Sequence, residues 1–311
     1  MRNGIRAFIL AGSGVAMALA LSAARTGQEA SRTQELLKQA RTALGGEAQF
    51  AAVKSLSVSI WSKNITPMRE IESDGSIEIQ LPDKFRKSDS AAFGPGMEFT
   101  TTQIVNGAEV STQVDSGGGG GGQFFTRMGG GQASPEMKAM AERAVRVEYA
   151  RTMILLLLAS PENFPVEFTY SGEEDLSGKM ADVLDVKGPE NFAARLYLDQ
   201  KSHQPVMLTY KERPRNMQFR MGGGGQGGGG ESREEMQRKA QDAAKSGTPP
   251  EEVEVQLRIV DYKATGGVSF PHKLSKTTAG KVTEEREYSK FKINPTLKTD
   301  RFKKKEEPQQ P

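Results

Sequence analysis

Hydrophobic positions along the chain follow two periods that alternate in blocks. Residues 33–44 place Leu36, Leu37, Ala40, Ala43 and Leu44 at helical spacing and run into Gly45-Gly46, a stop signal. From Lys54 the period is two. Leu56, Val58 and Ile60 alternate with Ser55, Ser57, Ser59 and Trp61, as on a strand with one buried face. The alternation returns at Ile77, Ile79 and Leu81, at Val166, Phe168 and Tyr170, at Val183, at Leu196 and Leu198, and at Val206, Leu208 and Tyr210. It is cleanest at Val253, Val255, Leu257 and Ile259. Asn106-Gly107 sits between two such runs and predicts a hairpin, since both central residues of its tight turn need positive φ. Ser134-Pro135-Glu136 predicts the start of a second helix, with a capping hydroxyl, proline at the first position and an early acid. That helix should end near Ala159, before Pro161, and its stretch from Met153 to Leu158 is apolar all round, so it needs partners on most sides.

Short turns joining many strands, with one helix at the start and one in the middle, predict an α+β, mainly β fold. The expected architecture is a curved antiparallel sheet, an incomplete barrel of about 11 strands, with helices covering its concave face. Two Gly-rich inserts, 116–134 and 214–250, interrupt it. Both contain a Phe/Arg-Met-Gly-rich lead-in, at Phe125–Gln132 and Phe219–Gln226. The first follows about the fifth strand and the second about the ninth, so an up-and-down meander sends both to one rim.

Composition sharpens this picture in three places. Half of the 34 glycines lie in tracts at 117–122, 129–131, 222–225 and 227–230, so the folding unit is smaller than 311 residues suggests. The net charge is +3, and close to +1 without Arg2 and Arg6, too balanced for a nucleic-acid partner. There is no cysteine, which excludes disulfides, thiolate metal sites and a lipoprotein anchor. Residues 1–24 read as a signal peptide: Arg2 and Arg6 precede an apolar, small-residue run that ends at Ser22-Ala23-Ala24. The expected organisation is therefore export to the periplasm, one domain over 25–297 and a disordered charged tail over 298–311.

Candidate chemistry is sparse. Gly-x-Gly-x-x-Gly occurs only inside polyglycine, without the strand-to-helix setting that a dinucleotide site needs. His203 and His272 have no second histidine at helical spacing and read as surface or strand-end residues rather than ligands. No nucleophile–base set appears. Met128, Met137, Met140, Met217 and Met221 form a soft-ligand set on paper, but methionine equally fills cores and contacts partners. No catalytic residue, metal or cofactor is assigned.

Three motif groups resemble the periplasmic lipoprotein-carrier superfamily, the LolA/LolB-like half-barrels. They are the helix before Gly45-Gly46 with Val53-Lys54-Ser55-Leu56, then Leu81-Pro82-Asp83-Lys84-Phe85-Arg86, then Asp261-Tyr262, Gly266–Lys273 and Ile293-Asn294-Pro295. The resemblance covers roughly residues 33–297 apart from the inserts. It implies a concave apolar face that binds acyl chains, and partners that are lipids or acylated lipoproteins. The strand and helix faces that would line such a cavity are Leu56, Val58, Ile60, Met153, Leu156, Phe168, Tyr170, Leu196, Leu198, Leu208, Leu257 and Ile259. The function expected is non-catalytic lipid or lipoprotein carriage. The alternative is an envelope sensor or interaction module with a filled barrel, an envelope protein docking at the Gly-rich inserts.

Overall fold

The computed structural model describes residues 13–66, 69–94, 97–117, 134–213 and 251–304. One antiparallel sheet contains β1 (Ser55–Ile65), β2 (Glu70–Gln80), β3 (Lys84–Gly94), β4 (Met97–Asn106), β5 (Glu109–Gly117), β6 (Glu167–Asp175), β7 (Met180–Gly188), β8 (Phe192–Asp199), β9 (Pro205–Glu212), β10 (Val253–Thr265), β11 (Val268–Thr278) and β12 (Lys281–Ile293). Their spatial order is β5-β4-β3-β2-β1-β12-β11-β10-β9-β8-β7-β6, open at β5 and β6. Consecutive strands pair with one another except β5 and β6, which form the two open edges, and the ends of the chain's strand series meet where β1 pairs with β12. The meander is therefore two arms, β1 to β5 and β6 to β12, joined by the pairing of Leu56 with Ile293 and Ile60 with Tyr288. The architecture is the expected mainly β, curved open sheet, with twelve strands rather than about 11.

Three helices accompany it: α1 (Ser13–Ala43), α2 (Glu47–Ala52) and α3 (Pro135–Leu157). The start of α3 is capped as its sequence predicts, with the Ser134 hydroxyl accepting from the Met137 amide at 3.3 Å. It stops two residues short of Ala159. Leu158 turns left-handed at φ 48°, and its carbonyl accepts from Arg41 of α1 at 2.7 Å. Helix α1 begins well before Thr33, where the helical spacing of the sequence starts, so residues 25–31 are helical too. It packs along β6 and closes that edge: the Thr33 hydroxyl accepts the Tyr170 amide at 2.8 Å. No helix among the described residues is long and apolar enough to cross a membrane.

The motif residues meet at joints. The Ser269 amide donates to the Leu44 carbonyl at 2.7 Å, and a Cβ added to Gly45 would lie 2.1 Å from the Gly267 carbonyl oxygen, so only glycine fits there. The Asn294 side chain accepts from the amides of Lys54 and Ser55 at 2.6 and 3.2 Å, locking the end of β12 to the start of β1. Asn163 donates to the Gly107 carbonyl at 2.5 Å and Tyr149 to Pro82 at 3.3 Å, tying α3 and its exit to the β2–β3 and β4–β5 turns.

Two expectations need correction. Residues 299–302, placed in a disordered tail, form a 3-10 turn whose Phe302 is buried and whose Arg301 binds the buried Glu78 at 2.7 Å. An aromatic anchor and a shielded ion pair outweigh the charged composition that suggested disorder. His272 is not a surface or strand-end residue; it is buried in the middle of β11, bonded to the Tyr288 carbonyl. Strands β5 and β9, an even number of places apart in an antiparallel sheet, run the same way, so Gly117 and Glu212 face one rim. Of the two inserts, 118–133 and 214–250 lie outside the described residues, as do 1–12 of the expected signal and 305–311 of the tail.

Candidate functional site

One face of the sheet is covered by helices, and alternation fixes which side chains reach it. Leu56, Val58 and Ile60 point the same way as Ile79 and Ile77 on β2 and as Phe85 on β3. On the other arm Leu257 faces Leu208, which faces Leu196, which faces Leu184. Helix α3 lies over β4, β5 and β11, with Tyr149 stacked on Phe85 at 4.9 Å. All twelve expected cavity residues come together here. Leu56, Val58, Ile60, Met153, Leu156, Leu196, Leu198, Leu208, Leu257 and Ile259 are buried in one continuous cluster, with Phe168 and Tyr170 packed against it beneath α1. Ten of the positions are filled by one another and by the helices, Phe168 and Tyr170 are partly exposed, and Leu257 borders the open space described below.

Toward the rim where β5 and β9 end, the same face changes character. Following the alternation on each strand, Phe85 is succeeded by Lys87 and Asp89, Leu274 by Lys276, Tyr210 by Glu212, and Tyr288 is preceded by Arg286 and Glu284. Register sets these side by side, with Ser62 opposite Arg286 and Leu257 opposite Lys276. Helix α3 adds Glu148 and Arg151 from the same side as Leu155. The Lys87 ammonium meets the Glu148 carboxylate at 2.7 Å, and Arg286 meets Glu284 at 2.7 Å. Lys276 binds Glu212 at 3.2 Å. The Arg151 guanidinium lies 3.4 Å over the Tyr210 ring.

Burial and pairing oppose each other at Lys87, Glu148 and Arg286. The Lys87 charge holds the Glu148 carboxyl well below the usual carboxylate range, against burial, which would raise it. Burial alone would lower Lys87, but Glu148 and Asp89 outweigh it and hold the ammonium above its ordinary value. For Arg286, too, burial is overcome, chiefly by Glu284. Burial pushes the Tyr210 phenol up, with Arg151 pulling the other way. Lys87, Glu148 and Arg286 therefore stay ionised and paired across the ordinary pH range while the Tyr210 phenol stays neutral, which suits clamping and polar recognition rather than proton transfer.

Open space of about 1790 Å³ adjoins this charged half. It is bordered by Lys87, Glu148 and Arg151 on the helix-covered face and by Glu174, Arg195 and Tyr197 on the other, so it is not one closed chamber. Sequence reading missed the charged residues because it followed the apolar positions alone. Only Glu212, two places from Tyr210, lies on a strand whose face the sequence had assigned; Lys87, Lys276 and Arg286 lie on strands for which no face had been read. Met137 and Met140 are exposed on the first turns of α3, and Met128, Met217 and Met221 lie outside the described residues. No group of three His, Asp or Glu side chains suited to a metal occurs among the described residues.

No protein-family profile matches the chain, and no curated protein matches it. Among solved structures it is similar to a LolA superfamily protein from Nitrosomonas europaea, at 11% identity, TM-score 0.44, covering 88% of this chain and 97% of the other. A candidate outer-membrane lipoprotein-sorting domain from Vibrio parahaemolyticus gives 11% identity and TM-score 0.44 over the same shares. A DUF1329 family protein from Desulfovibrio piger follows at 7% identity and TM-score 0.42, covering 87% and 97%.

Proposed function

We propose that the protein is an exported, non-catalytic carrier, working in the periplasm, that takes the acyl chain of a lipid or lipoprotein between α3 and the sheet. One observation carries this reading: a continuous apolar sheet face is roofed by a helix held to it through side chains. Among the described residues no backbone–backbone hydrogen bond joins α3 to a strand, so a chain can slide beneath it without breaking a β ladder. The magnitudes show how entry works. About fifteen methylenes at ~0.8 kcal/mol each offer roughly 12 kcal/mol. Uncovering Met153, Ile154, Leu155, Leu156 and Leu157 costs about 1.5–3 kcal/mol each, a similar total. The acyl chain must therefore take over the helix's contacts as it enters; it cannot simply add to them.

A second reading is favoured by a different observation. The expected cavity positions are filled, and the open space is bordered by charges, which suits a sensor or interaction module with a solid core. Purification from the native envelope, organic extraction and mass spectrometry, with titration of a fluorescent acyl probe, separates the two. Stoichiometric co-purifying lipid and saturable probe binding support the carrier. A folded protein without either leaves the solid module.

A further inference from the structure

Among the described residues four cations line the charged half of the concave face, and three of them are held closely by carboxylates. Lys87, Lys276 and Arg286 each have a carboxylate oxygen within 2.7–3.2 Å. Arg151 does not: its nearest carboxylate, Glu212, is 3.9 Å from Nη1, beyond hydrogen-bond reach, and Glu212 is held by Lys276. Its Nε is buried with no hydrogen-bond partner. A buried orphan donor on a charged group is unfavourable and calls for an acceptor. The guanidinium plane is fixed by stacking on Tyr210, leaving its N–H edge as the only polar surface on offer. Arg151 borders the open space, while Ile154 and Leu155, one helical turn on, belong to the apolar cluster. It stands at the seam between the two halves of the face.

We propose that Arg151 is an oxyanion subsite that receives the carboxylate or phosphate of an anionic amphiphile whose acyl chain lies under α3. This rests on the carrier reading and names its ligand class. The planar fork of donors matches the paired oxygens of either group. Glu148, Glu212, Glu284 and Asp89 also face this region: Lys87 serves both Glu148 at 2.7 Å and Asp89 at 3.7 Å, Lys276 serves Glu212 and Arg286 serves Glu284. The accepting oxygen arrives with the acyl chain, since Nε is covered by protein atoms while α3 is closed.

The full mature chain is titrated with a fluorescent polyene fatty acid and with its methyl ester, alongside Arg151→Gln and Arg151→Lys. Wild type should bind the acid roughly ten- to a hundredfold more tightly than the ester, the range for one charge-assisted contact. Arg151→Gln should erase that ratio, and its binding of the ester, which has no charge to lose, reports folding and any loosening of α3 common to both probes. Arg151→Lys, which keeps the charge and loses the fork, should lower the ratio, and decides the matter should Arg151→Gln not fold. Equal affinities in wild type, or a ratio that survives the substitutions, overturn the subsite while ester binding keeps the carrier. If neither probe binds, the carrier reading falls and inorganic phosphate decides the subsite alone. A rise in Tm that Arg151→Gln lacks keeps it as a site for the free ion, and no rise overturns it.

Discussion

The two halves of the helix-covered face present the same helix to the same strands and hold it by different means. Near the β2–β3 and β4–β5 turns, α3 is held by shape and by hydrophobic burial: Tyr149 lies on Phe85, and the residues from Met153 to Leu157 are enclosed. Toward the other rim it is held by charge, through Glu148 on Lys87 and Arg151 on Tyr210. Burial of apolar surface is non-directional and tolerates sliding, so it can be passed to an acyl chain. Paired charges are directional and are lost outright when partners separate. The apolar half thus gives adhesion, and the charged half fixes where the helix sits.

The largest effect should come from putting charge into the wrong half. Leu156 is 2% exposed and lies within the apolar cluster. Leu156→Asp should destabilise the fold by more than about 4 kcal/mol, enough to unfold it, because a buried unpaired charge cannot be compensated. Circular dichroism with urea titration reads this directly. A folded Leu156→Asp with unchanged acyl-probe affinity would remove α3 from the site altogether.

The converse change, apolar into the charged half, should act more moderately and in a telling pattern. The Lys87 and Glu148 side chains are 11% and 26% exposed. Lys87→Met strands the Glu148 carboxylate and should cost about 2–4 kcal/mol, less than a fully buried pair would. Adding Glu148→Met removes the stranded charge and should restore part of that loss, which a double-mutant cycle in urea measures. Additive losses would mean that the two side chains do not hold the helix as a pair.

Proton linkage separates the halves without changing size. Glu148 titrates lower in the folded state than its ordinary value of 4.5, so its contribution is complete above that pH and is lost as pH falls toward the folded value. Lys87 titrates above its ordinary 10.5 when folded, so its contribution is complete below that and is lost as pH rises through the folded value. Between these limits the pair should be flat. Below about pH 4.5 wild-type stability should fall by up to ~1.4 kcal/mol per pH unit on account of Glu148, a slope that Lys87→Met/Glu148→Met lacks. Urea titrations at pH 3 to 6 on both proteins test it, and identical slopes would assign the acid sensitivity elsewhere.

The apolar half was legible because alternation is a local signal. Leu56-Val58-Ile60 and Val255-Leu257-Ile259 announce their faces within one strand, and Asn106-Gly107 announces a hairpin whose central residues are Gly107 and Ala108, one place further on. The charged half was not, because Lys87, Glu148 and Arg286 come from β3, α3 and β12, and their meaning depends on which strands are neighbours. The seam between β1 and β12 is a pairing of residues more than two hundred positions apart, which no local period reveals. The tail misled for the same reason: Phe302 and Arg301 are a short apolar-basic run until Glu78 is placed beneath them.

The smallest expected effect checks that position, not mere pairing, gives the charged half its grip. On the opposite face of the same sheet Arg195 lies 3.1 Å from Asp185, a contact nearly as short as that of Lys87 with Glu148. Its side chain is 55% exposed, so water screens the attraction and hydrates either partner when the other is removed. Arg195→Ala should therefore change stability by less than about 0.5 kcal/mol. The measurement belongs in the same urea series as Lys87→Met, at the same pH and salt. A cost equal to that of Lys87→Met would show that exposure does not distinguish the two faces, and the charged half would lose its claim to position α3.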